Sequence, residues 1–167
     1  MSASKNTGDL LTNSQISEFV KKEFSEIKSN SDLVYFHSIN KFLLMAHSPD
    51  RIRLLGNIVA NHKILPFKTL LDEYGKNLEI LLKNEPTTKL HANVLQKIFG
   101  YFKKDLSAEE KSKILTILSD YRQNKQTLND VLLLLEGLTR KFQKTYLVRQ
   151  TYFLLYAKVS KTDNISI

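Results

Sequence analysis

The sequence predicts an all-α protein, a single compact domain of seven or eight helices. Three observations carry this reading. Apolar residues recur at helical spacing from Ser14 to Val159. Only 5 glycines and 3 prolines occur in 167 residues, so long stretches carry no breaker. No segment alternates polar and apolar residues in the manner of a half-buried strand. The expected layout is an N-terminal tail over residues 1–13, a helical domain over residues 14–160 and a C-terminal tail over residues 161–167.

The helices can be placed in order. Ser14 is a candidate cap for a first helix from Gln15 to about Lys28, with Ile16, Phe19, Val20, Phe24 and Ile27 on one side. Ser29-Asn30-Ser31 breaks it. A second is expected from about Asp32 to His47, apolar around most of its circumference and therefore central. Ser48-Pro49 is a strong start for a third, a capping hydroxyl with proline at the first helical position, ending near Asn61. Pro66 opens a fourth, through Leu82. A fifth runs from Thr87 or Thr88 through Lys104. Ser107-Ala108-Glu109-Glu110 reads as a capping box for a sixth. A seventh is expected from about Thr127 to Phe142 and an eighth from about Tyr146 to Val159.

The fifth helix organises the reading. Wound at about 100° per residue, it puts Leu90, His91, Val94, Leu95, Ile98, Tyr101 and Phe102 on one broad side. Lys89, Asn93, Gln96, Lys97, Gly100, Lys103 and Lys104 share an arc of about 120° on the other. That stripe holds four ammonium groups, two carboxamides and no carboxylate. Solvated helix faces commonly mix signs, because opposite charges one turn apart support the helix. Lysine and side-chain amides suit phosphates and base edges.

Composition narrows the function classes. Net charge is +8. Residues 1–110 hold 15 basic and 13 acidic side chains, whereas residues 111–167 hold 10 and 4. A basic field of this kind favours phosphate polymers or anionic surfaces. No run reaches the ~18 apolar residues of a membrane-spanning helix, and Met1 to Asn13 lacks the apolar stretch of a secretory signal. Cysteine is absent, which excludes disulfides, thiolate zinc sites and cysteine-ligated iron–sulfur clusters. No phosphate-binding glycine loop, zinc-protease helix or nucleophile elbow is present. No cofactor, no metal and no membrane association are expected, and a cytoplasmic setting is the simplest fit.

The strongest polymer-binding signal lies between Gly137 and Thr162, which contain no Asp or Glu. Arg140, Lys141, Lys144, Arg149, Lys158 and Lys161 are interleaved there with Phe142, Tyr146, Tyr152, Phe153 and Tyr156. Cations suit phosphates, and unpaired bases stack on rings. Some of these rings, Phe153 among them, are expected in the core. Among the histidines, His91 sits on an apolar side and is expected to be buried and bonded by a neighbouring helix. His37 lies four residues before Lys41, a pair that could bind phosphate or act as donor and base.

The segments His37-x-x-x-Lys41-Phe42-Leu43-Leu44-Met45-Ala46-His47-Ser48-Pro49, Lys89-Leu90-His91-Ala92-Asn93-Val94-Leu95-Gln96 through Gly100-Tyr101-Phe102-Lys103-Lys104, Tyr121-Arg122, and Tyr146-Leu147-x-x-Gln150-x-Tyr152 resemble the YbgA-like family over about residues 33 to 155. That family is a domain of unknown function. It occurs alone and as the C-terminal part of fusions with a cysteine-rich domain similar to thiouracil desulfidases, which use an iron–sulfur cluster. The resemblance implies that the YbgA-like part holds transfer RNA while its partner removes sulfur from thiouridine. It places RNA contact on His37, Lys41, Lys89, His91, Asn93, Gln96, Lys103, Lys104, Arg122 and Gln150. The family pattern also has two prolines, then an arginine followed by histidines, between Tyr121 and Tyr146. Here those positions are Thr127, Val131, Glu136, Gly137 and Leu138, so the seventh helix is expected to be straighter.

The sequence therefore reads as an RNA-binding module, for transfer RNA, acting with a separate desulfidase-like protein. Lys41, Lys89, Asn93, Gln96, Lys97, Lys103, Lys104, Arg122, Arg140, Lys141, Lys144, Arg149 and Gln150 are its candidate contacts. The rival reading is a small enzyme acting on a nucleotide or phosphorylated metabolite, with His37, Lys41 and His91 around one pocket. A third is a protein-interaction module whose basic face meets an acidic partner.

Overall fold

Short polar side chains set most of the helix starts. Ser29, Ser48, Ser107 and Thr127 each accept the backbone N–H three residues on at 3.1 Å, satisfying one donor that the first turn leaves open. The computed structural model describes residues 11–157. Within them lie ten helices and no strand, so the protein is all-α. Eight of the ten have seven residues or more, α10 has six, and α9 is a single turn. The helices fall into two compact units, one ending at Leu90 and one beginning at His91.

The first unit holds α1 (Asn13–Ser25), α2 (Asn30–Ile39), α3 (Lys41–His47), α4 (Pro49–Ala60) and α5 (Phe67–Leu82). α4 packs on α2, α3 and α5. Val20, Leu33, Leu43, Leu44, Leu55 and Leu70 are fully buried in it. Three rings add an aromatic knot: Phe24 stacks on Tyr74 at 5.7 Å, and Phe36 meets both edge-on. The first helix starts earlier than Ser14 implies. Thr12 accepts the Gln15 N–H at 3.1 Å, and the Gln15 side chain accepts from Thr12 N–H at 2.8 Å.

The second unit holds α6 (Thr88–Gly100), whose first turn precedes His91, then α7 (Ala108–Arg122), α8 (Leu128–Lys141), α9 (Thr145–Val148) and α10 (Thr151–Tyr156). α8 packs on α7, α9 and α10. The capping box at Ser107 forms, with Glu110 accepting from Ser107 N–H at 2.9 Å. The expected kink-free seventh helix is α8, unbroken from Leu128 to Lys141.

Ten helices replace eight because two expected helices are each interrupted at a buried amide residue. The expected Asp32–His47 helix breaks at Asn40 (φ −101°, ψ 4°), which is fully buried. Its amide donates to the Phe36 carbonyl at 3.0 Å and reaches Glu23 Oε1 at 3.4 Å. A side chain bonding its own preceding turn competes with the helical ladder. The expected Tyr146–Val159 helix breaks at Gln150, which is extended (φ −66°, ψ 128°) and 1 % exposed. The end of that helix, and the tails over residues 1–10 and 161–167, lie outside the described residues.

Candidate functional site

Helical period alone divides α6 into two faces. His91, Ala92, Val94, Leu95, Ile98 and Phe99 are buried. Lys89, Asn93, Lys97 and Gly100 are exposed, and Gln96 is half-buried beside them. The polar stripe is therefore a surface. Its length differs from expectation, because α6 stops at Gly100. Residues 101–106 continue as turns, with Tyr101 N–H bonding Ile98 O at 3.0 Å and Phe102 N–H bonding Phe99 O at 2.9 Å. Such i→i−3 bonds tighten the last turn and rotate the residues beyond it. Phe99 consequently takes the core position expected for Tyr101, and Tyr101 turns to the surface. Lys103 and Lys104 are exposed on this turn, and Lys103 Nζ sits 5.9 Å from the Phe99 ring centre. Among the described residues, Lys89, Lys97, Lys103 and Lys104 have no carboxylate within 4.0 Å.

The C-terminal stretch is acid-free in sequence but not in space. Lys144 pairs with Asp105 at 2.9 Å, Lys141 with Glu110 at 3.7 Å, and Arg140 with Glu136 at 3.7 Å. Three expected contacts are thus already paired with carboxylates that precede the stretch. Arg122 and Arg149 are exposed and have no ion pair among the described residues. Gln150 is a correction: at 1 % exposure it belongs to the core that breaks α9 from α10 and presents nothing to a ligand. Tyr152 and Phe153 are likewise core. Lys158 and Lys161 lie outside the described residues.

His91 behaves as its apolar setting predicts. It is 7 % exposed, and its Nδ1 lies 2.6 Å from the Tyr152 hydroxyl on α10. The Tyr156 ring meets it edge-on at 5.0 Å. Burial holds the Tyr152 phenol far above its ordinary value, so it keeps its proton.

His37 and Lys41 belong to the first unit and straddle the Asn40 break. His37 is half-buried, with Nδ1 2.9 Å from the Tyr74 hydroxyl. Burial, helped by the Lys41 charge, lowers its pKa to about 4. It is a neutral imidazole at pH 7. Lys41 is half-buried at the start of α3. A depression in this unit is lined by Ser48, Asp50, Arg51, Leu54, Ile80 and Asn84, and neither His37 nor Lys41 lines it. Next to it, His47 donates from Nδ1 to the Asn84 carbonyl at 2.7 Å. This histidine is buried and shows no signal in the sequence beyond its place in a motif.

Comparison with known proteins adds the family. No solved structure matches the chain. The Escherichia coli (strain K12) protein described as "Uncharacterized protein YbgA" is 27% identical over 128 residues, covering 76% of each chain. The family model described as "Protein of unknown function (DUF1722)" matches residues 41–157, a span from the first residue of α3 to the end of the second unit's described residues. With most of its length inside that match, the chain belongs to the DUF1722 family, the YbgA-like family that its motifs resemble.

Proposed function

We propose that this protein is an RNA-binding module of the cytoplasm, that its RNA is transfer RNA, and that it acts with a separate desulfidase-like enzyme. The observation that carries the RNA reading is the lysine-rich surface of α6 and its following turn, where the one carboxylate, Asp105, is paired with Lys144. Lys89, Lys97, Lys103 and Lys104 stand exposed there without carboxylate partners among the described residues. Asn93 and Gln96 share the helix face and offer donors and acceptors suited to base or ribose edges. Transfer RNA and the desulfidase-like partner come from the family resemblance.

A salt titration of transfer RNA binding tests the reading. Phosphate contacts release counterions, so affinity falls with a log–log slope of about −0.7 to −0.9 per phosphate engaged. Replacing Lys103 and Lys104 by Ala flattens the slope by about one to two units and weakens every RNA alike. Replacing Asn93 or Gln96 by Ala leaves the slope unchanged and alters which RNA is preferred. An affinity that barely responds to salt, or a slope untouched in the double lysine variant, refutes the proposal.

A further inference from the structure

Aromatic rings normally go inside, and most of those in the second unit do: Phe99, Phe102, Tyr152 and Phe153 are each 2 % exposed or less. Two do not. Tyr101 is 41 % exposed and Tyr146 is 36 % exposed, the two exposed rings among the unit's described residues. They come from segments 45 positions apart in sequence, yet their rings stack, with centroids 6.0 Å apart and planes 29° from parallel. Neighbours of both tyrosines join the same two segments. Phe102 packs toward Phe142 at 6.2 Å, and Lys144 is tied to Asp105 at 2.9 Å. The two tyrosines thus stand on a braced corner, where the turn after α6 meets the start of α9.

Next to the two tyrosines in the chain cations outnumber carboxylates, and the one carboxylate, Asp105, is paired with Lys144. Lys97 precedes Tyr101 by one helical turn, and Lys103 and Lys104 come soon after it. Arg149 lies three residues after Tyr146 at the end of α9 and is exposed. An exposed ring pair with exposed cations close to it in the chain matches one ligand chemistry well: a flat aromatic group carrying phosphate. A duplex keeps its bases stacked on each other and offers only phosphates. An unpaired nucleotide offers both, and its base stacks on a ring whatever its identity. The bracing matters energetically, because rings already fixed in place lose little freedom on binding.

We propose that Tyr101 and Tyr146 form a stacking platform for an unpaired base of the bound RNA, flanked by Lys97, Lys103, Lys104 and Arg149 as its phosphate contacts. This deepens the RNA-binding reading and rests on it. It identifies the ligand as a looped-out or single-stranded segment.

The test compares three probes with the full-length protein: a 12-nucleotide oligoadenylate, a 12-base-pair RNA duplex, and an abasic oligomer of the same phosphate count. Wild type should bind oligoadenylate tighter than either of the others. Tyr101→Leu and Tyr146→Leu keep apolar bulk, and both should weaken oligoadenylate binding by about 5- to 100-fold. Neither should change abasic binding or the salt slope. Tyr101→Phe should restore most of the affinity, and far-ultraviolet circular dichroism should match wild type in each variant. If wild type binds all three probes alike and the Leu variants are unaffected, the platform is refuted while the RNA-binding reading stands. If no RNA probe and no transfer RNA binds at low salt, the RNA-binding reading itself falls, and the platform with it.

Discussion

His37 should make this protein acid-labile well above the range where carboxylates protonate. The perturbation is His37→Asn, which keeps an oxygen or nitrogen near the position of Nδ1 but cannot titrate. In the folded chain burial lowers the His37 pKa from 6.5 to about 4. The unfolded chain keeps the ordinary value, so between about pH 6.5 and 4 it binds a proton that the folded chain refuses. Stability therefore falls as pH drops through that window and is unaffected above it. A shift of about 2.5 units corresponds to about 3.4 kcal/mol when fully developed, and to about 2.5 kcal/mol at pH 4.5. The structural cause is specific. The ring is closed in by Tyr74 at 2.9 Å and by α4, where a Cβ on Gly56 would stand 3.5 Å from Nε2. Urea unfolding at pH 7.5 and pH 4.5 gives the loss for wild type and for His37→Asn. The variant should lose about 2.5 kcal/mol less. His47, also lowered by burial, contributes acid sensitivity in the same direction and is common to both proteins, so the difference isolates His37. Equal losses in the two proteins would show that His37 titrates normally and that its surroundings are wet.

Two glycines in helices should respond oppositely to alanine. A Cβ at Gly75 would stand 2.9 Å from the Phe24 ring, so Gly75→Ala should cost about 1–3 kcal/mol, whereas Gly137 has nothing within 4 Å and Gly137→Ala should add about 0.5–1 kcal/mol, both read from thermal melts. In the proposed complex Asp105→Asn should release Lys144 from its 2.9 Å partner and steepen the salt slope of transfer RNA binding by up to about one unit; an unchanged slope would mean that Lys144 does not face the RNA.

The features legible in the sequence are those that local chemistry decides. Ser48-Pro49 and Ser107 to Glu110 mark helix starts because a cap is satisfied within three residues, and both form as expected. His91 can be placed inside because its neighbours one turn away are apolar, and Tyr152 supplies the partner it needs. The departures concern decisions made by distant residues. Asn40 breaks a helix while reaching Glu23, 17 positions away. Gln150 has the type and motif of a contact, but its backbone turns inward between two short helices. Tyr101 moves from core to surface because α6 ends at Gly100, and no sequence signal separates Gly100 as a terminus from Gly75 or Gly137 inside helices.

Distance along the chain also misleads about the basic charge. Counted by sequence, the C-terminal stretch carries a strong unopposed field. Folding brings Asp105 and Glu110, which precede α7 or open it, onto Lys144 and Lys141, and Glu136 onto Arg140. A cation already beside a carboxylate releases little on meeting a phosphate, because the incoming anion must displace a partner rather than only counterions. The exposed lysines of α6 and its turn have no such partner among the described residues. In the proposed complex the cations that drive binding are therefore the lysines of α6 and its turn together with Arg149, which has no ion pair among the described residues. On this view charge supplies attraction and the ring pair supplies the preference for unpaired bases. Lysine and tyrosine variants should then differ in kind, the first changing salt dependence and the second changing the choice between single-stranded and duplex RNA.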